Sequence, residues 1–157
     1  DQQQRKAGNF RAGDTVTVQL SADLTPAHAA IPAELEKLFR QDRSLREFFL
    51  ALPEALLRHI LNQVATPKSH EARRNRAEHW AEAMLLTMEA EITLPPILAQ
   101  AFAREPLALK RWNTMSATLR RQLLIGLFHA VSPDTRAARA TYIVDKCLPA
   151  DRRRSSN

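Results

Sequence analysis

The chain is poor in three things: glycine (three residues), cysteine (one) and aromatic side chains (6% of positions). Each shortage excludes something. The single thiol, Cys147, rules out an internal disulfide framework and points to a reducing compartment. So few glycines, with little alternation of β-branched residues, leave few of the turns and strands a sheet protein needs, so the fold is expected to be mainly α. There is no glycine-rich phosphate loop, no nucleophile elbow and no His-Glu-x-x-His pair. Histidines 28, 59, 70, 79 and 129 include no i, i+4 pair and have no cysteine beside them, so no zinc site is expected. The sequence therefore supplies no catalytic constellation, no metal set and no cofactor motif. No apolar run approaches the ~18–20 residues that a membrane-spanning helix requires.

What is present is ordinary globular material, 45% hydrophobic and 25% charged over 157 residues, with a net charge of +6. The charge is uneven. Residues 92–157 hold eleven positive and four negative side chains, while residues 24–91 hold nine positive and ten negative. Part of the excess is the tail Asp151-Arg152-Arg153-Arg154-Ser155-Ser156-Asn157, which has no apolar residue to pack and is expected to be disordered.

The dominant feature is a duplication. Ser69-His70-Glu71-Ala72-Arg73-Arg74-Asn75-Arg76 and Ser132-Pro133-Asp134-Thr135-Arg136-Ala137-Ala138-Arg139 share Ser-x-x-x-Arg-x-x-Arg at an offset of 63 residues. The same offset aligns Pro32 with Pro95, Leu35 with Leu98, Phe39 with Phe102, Arg58 with Arg121, Ala77 with Ala140 and Leu85 with Leu148. Apolar pairs fill the intervals: Phe49 with Trp112, Val64 with Leu127, Trp80 with Ile143, Met84 with Cys147. Two tandem units of about four helices each are expected, spanning residues 24–91 and 92–150. In each, helices begin near Ala33 (Pro96), near Ser44 (Leu107), at Pro53 (after Ser116) and after Ser69 (Ser132). Glu89 to Thr93 reads as the joint between the units.

Residues 1–23 differ. Gly13-Asp14 is a turn signal, and Thr15-Val16-Thr17-Val18-Gln19-Leu20 alternates like a half-buried strand. One strand cannot pair its own backbone, so its partners are expected upstream of Asp1.

The repeated arginines are the candidate functional residues. Arg73, Ala77, Trp80 and Met84 follow i, i+4, i+7, i+11 and share the core-facing stripe, as do Arg136, Ala140, Ile143 and Cys147. Arg73 and Arg136 are therefore expected to act as internal ties, bonded to a carboxylate or to free carbonyls at a helix end. The alternative is an anion site built from Arg76, Arg136, Arg139 and Ser132. Arg120-Arg121 and Arg73-Arg74-Asn75-Arg76 supply charge for nucleic acid, but no aromatic platform accompanies them.

These residues resemble the YdeI/OmpD-associated family of small bacterial proteins. Met115-Ser116-Ala117-Thr118-Leu119-Arg120-Arg121 is similar to the family's aliphatic-Ser-x-Ser-x-Arg-Arg segment, with Thr118 for the second Ser. Ala130-Val131-Ser132-Pro133-Asp134-Thr135-Arg136-Ala137-Ala138-Arg139 is similar to its Ala-Lys-x-x-x-Thr-Arg-x-x-Arg, with Val131 for Lys. In the first unit Ala72 replaces the Thr, and in the second Gly126 stands where a tryptophan is expected. The N-terminal segment resembles the end of a small β-barrel domain that precedes the helical unit in related proteins. The resemblance implies a cytoplasmic bacterial protein associated with envelope stress and antimicrobial-peptide or bacteriocin tolerance. The expected role is a non-catalytic binding module whose partner is a protein or an anionic small molecule. A nucleic-acid-binding module is the alternative, and an enzyme of unknown reaction is third.

Overall fold

A computed structural model describes residues 30–149, so the strand segment of residues 1–23 and the basic tail lie outside the described residues. Those described residues form helices throughout: α1 (Ala33–Gln41), α2 (Arg43–Leu50), α3 (Glu54–Ala65), α4 (His70–Ile92), α5 (Pro96–Arg104), α6 (Pro106–Thr114), α7 (Ala117–Phe128) and α8 (Pro133–Cys147). The order α1–α4 repeats as α5–α8.

Local chemistry sets the boundaries. Ser69, Ser116 and Ser132 each cap a helix, their hydroxyls accepting from the backbone N–H of Ala72, Leu119 and Thr135 at 3.1, 3.3 and 3.1 Å. Pro96, Pro106 and Pro133 occupy first-turn positions, where a missing N–H removes no helical bond. Asp42 ends α1 and caps α2, its carboxylate accepting from Ser44 Oγ at 2.6 Å and from the N–H of Leu45 at 3.1 Å. These bonds hold the Asp42 carboxyl below its usual range.

Each unit buries its own core. Leu35, Phe39, Phe49, Ile60, Val64, Ala77, Trp80 and Met84 pack together in the first. Their aligned partners Leu98, Phe102, Trp112, Leu127, Ala140, Ile143 and Cys147 pack together in the second. Phe39 lies against Phe49 at 5.0 Å between ring centres, and Phe102 against Trp112 at 5.6 Å, so even the aromatic pair is duplicated.

The units are not beads on a linker. The joint expected at Glu89 to Thr93 is helical through Ile92, which makes α4 eight residues longer than α8 (23 against 15). The physical reason lies in its last turns. Ala90 is buried in the second core, and Glu91 forms a bidentate pair with Arg121 of α7, Nε to Oε1 at 2.7 Å and Nη2 to Oε2 at 3.0 Å. The Arg121 guanidinium also lies 4.5 Å from the centre of the Phe48 ring on α2. In return Ile125 of α7, 2% exposed, is buried in the first core. α4 thus packs on both sides, burying Ala77, Trp80, Ala81, Ala83, Met84, Thr87 and Ala90, and shows no single apolar stripe. The Thr87 hydroxyl, fully buried, donates to the Ala83 carbonyl at 2.7 Å. Among the described residues no helix is long and apolar enough to cross a membrane.

Candidate functional site

The duplication lets each arginine be compared with its own twin. In the first unit both find side-chain and backbone acceptors. Arg73 Nε donates to Glu34 Oε1 at 2.8 Å, and its Nη1 donates to the carbonyls of Pro67 and Lys68 at 3.2 and 3.0 Å. The Glu34 side chain is only 7% exposed, and the bond from Arg73 is the main cause of a carboxyl held below its ordinary 4.5. Arg73 thereby ties α1, the α3–α4 connection and α4. Arg76 Nη1 donates to the carbonyl and to the side-chain oxygen of Gln63 on α3, at 3.1 and 2.9 Å.

In the second unit both side-chain acceptors are gone. The position equivalent to Glu34 is Ile97, and the position equivalent to Gln63 is Gly126. Among the described residues Arg136 keeps one bond, from Nη2 to the Ala130 carbonyl at 3.1 Å, and its Nε is shielded from solvent with no partner there. Arg139 is exposed and forms no hydrogen bond or ion pair with the described residues. It lines an open groove of about 390 Å³ with Gly126, His129, Ala130, Val131, Ser132 and Thr135. Ser132 Oγ, besides capping α8, is 2.7 Å from Thr135 Oγ1 at the groove's edge.

Behind the groove lies a ring cluster built by both units. His129 ends α7 and stacks on Trp80 of α4, 3.7 Å between centroids and 20° between planes. His79 Nε2 donates to the His129 carbonyl at 3.0 Å, satisfying a group freed at a helix end. His59 meets Trp80 edge-on at 5.8 Å. Burial, then the fields of His79, His59, Arg139 and Arg76, push the His129 imidazole down from 6.5 to about 4. It is therefore neutral at physiological pH, and the groove offers Arg139 as its uncommitted positive charge.

The remaining candidates fall elsewhere. Arg121 is committed to Glu91 and Phe48, which splits the Arg120-Arg121 pair. Arg120 lines a separate cavity of about 180 Å³ with Glu91, Trp112 and Asn113. Arg74 faces Glu78 at 3.5 Å. Cys147 is fully buried in the second core. Among the described residues no group of His, Cys, Asp and Glu is placed to hold a metal ion. Sequence reading passed over Glu34 and Gln63, and marked Gly126 only as the place of an expected tryptophan. The available signal was the set of positions at which the two copies disagree.

Comparison with known proteins agrees with the duplication. A family described as bacteriocin-protection, YdeI or OmpD-associated matches twice in tandem, over residues 28–85 and 91–148. No curated protein and no solved structure gives a significant match. The two matches cover most of the 157 residues, and the chain belongs to the YdeI/OmpD-associated bacteriocin-protection family.

Proposed function

We propose that the chain is a non-catalytic binding module in bacteriocin or envelope-stress tolerance, and that it meets its partner through the groove at Arg139. The observation that carries this reading is the difference between twins. Arg76 is bonded through Nη1 to Gln63, whereas Arg139, at the same position of the same fold, has no such acceptor and stands over an open groove. An exposed guanidinium with five donors and no acceptor among the described residues is suited to a carboxylate or phosphate brought by a partner. Arg136 and Ser132 support the wall of that groove, and Arg73, with the more weakly held Arg136, serves as an internal tie. The nucleic-acid alternative draws on Arg120 and Arg121, and the engagement of Arg121 with Glu91 takes it out of a basic face. The family's printed description supplies the bacteriocin setting, and a cytoplasmic location belongs to the same proposal.

The test is survival. Bacteria producing the chain are expected to outlive a bacteriocin challenge that kills cells without it, and Arg139→Ala is expected to remove at least ten-fold of that survival at equal protein level and equal Tm. Equal protection by the variant and the parent would overturn the reading.

A further inference from the structure

The two units differ in the acceptor offered to the second arginine of the motif. In the first unit the Arg76 guanidinium is met by a planar side-chain oxygen, that of Gln63, at 2.9 Å. At the aligned position in the second unit Gly126 has no side chain, and a Cβ built there would meet nothing within 4 Å. Gly126 and Arg139 line the same groove, so the space that Gln63 fills in one unit is open in the other. A glycine in the interior of a helix weakens it by ~1 kcal/mol relative to alanine, so the fold gains nothing from this residue. Two further features describe what fits. Val131, 81% exposed, sits on the lip of the groove and offers apolar contact to whatever flanks the charged group. The neighbouring charges suit a single negative charge: Arg139 is uncommitted, Asp134 stands in the first turn of α8, and Arg136 Nε is shielded.

We propose that the groove takes a carboxylate carried on a polypeptide, an Asp or Glu side chain of a partner protein, seated where the Gln63 amide lies in the first unit. This rests on the reading of Arg139 as the ligand-facing arginine and adds the class of partner. The neutral His129 beside the groove contributes no second positive charge that would favour a dianion. A planar carboxylate matches the guanidinium fork as the amide oxygen does, with charge added.

The decisive variant is Gly126→Gln, which restores the intramolecular acceptor without removing any arginine. The full chain, labelled with ¹⁵N, is titrated with a capped Val-Glu-Val peptide, its Val-Gln-Val twin, inorganic phosphate and a short single-stranded oligonucleotide. Val-Glu-Val is expected to shift the amides of Gly126 and Ser132 and the Nε–H of Arg139, with Val-Gln-Val at least ten-fold weaker. Gly126→Gln is expected to weaken the glutamate peptide at least ten-fold while Tm stays level or rises, since helix propensity improves. Phosphate binding as tightly as the peptide, or the oligonucleotide binding more tightly, would overturn the carboxylate assignment. If Gly126→Gln binds the peptide like the parent while Arg139→Ala loses it, the vacated-amide assignment fails and the reading of Arg139 stands. If both variants bind like the parent, that reading fails as well.

Discussion

Replacing Trp80 by alanine is expected to cost about 3–5 kcal/mol, the range for deleting a large buried aromatic ring. Trp80 is 4% exposed, and its ring serves both units at once. Within the first core it packs with Ala77 and Met84 and takes the edge of His59, and across the boundary its face carries His129. Removing it opens a cavity in one unit and strips the cover from a histidine of the other. Urea denaturation should report the loss of stability. A second readout follows from the cause of the His129 shift, which is burial first. In the parent, His129 is held near 4 against an ordinary 6.5, so folding favours the neutral ring. A depressed histidine stabilises the fold fully above its unfolded value, and that contribution is lost as pH falls from about 6.5 towards 4. In Trp80→Ala the His129 value should move back up towards 6.5, and the acid slope between those two pH values should flatten. A His129 titration unchanged by the substitution would contradict the stacking seen here.

Glu34→Gln should be the most costly of the polar substitutions, about 1–3 kcal/mol at neutral pH, because it removes the charged partner of a half-buried arginine. The carboxylate is nearly covered and accepts from Arg73 Nε, so a neutral amide keeps an oxygen for that bond but removes the opposite charge beside the guanidinium, which retains its two backbone carbonyls. The pH dependence has a definite sign. The Glu34 carboxyl is depressed in the fold, so its contribution is present above the ordinary value of 4.5 and disappears as pH falls through the lower folded value. Denaturation midpoints of the parent and Glu34→Gln should therefore converge in acid and separate above about pH 5. A constant gap across that range would show that the variant acts through packing and not through the ion pair.

Much of this architecture was legible because a duplication tests itself. Apolar positions kept at an offset of 63 marked both cores, and the serine caps of α4, α7 and α8 were readable from hydroxyl and proline placement alone. The interface between units was not. Its contributors include Ala90 on α4, a small residue that carries little signal by itself, and Ile125, whose aligned partner is the polar Asn62. Glu91 looked like part of a solvated joint because its partner, Arg121, lies thirty positions away in the chain. The candidate site was half visible. Both arginine pairs stood out by repetition, but what distinguishes them is set by Glu34 against Ile97 and Gln63 against Gly126, which lie on other helices. Only the packed structure brings those positions to the guanidinium groups.

The central claim is that one arginine motif, copied twice, serves the fold in the first unit and a partner in the second. The most direct measurement is the melting temperature of Arg76→Ala beside that of Arg139→Ala. Loss of the two Gln63 contacts at about 1 kcal/mol should lower Tm by roughly 2–4 °C for a chain of this size. Arg139→Ala, which breaks no bond among the described residues, should melt with the parent. An equal drop in both variants, or a drop in Arg139→Ala alone, would contradict the claim.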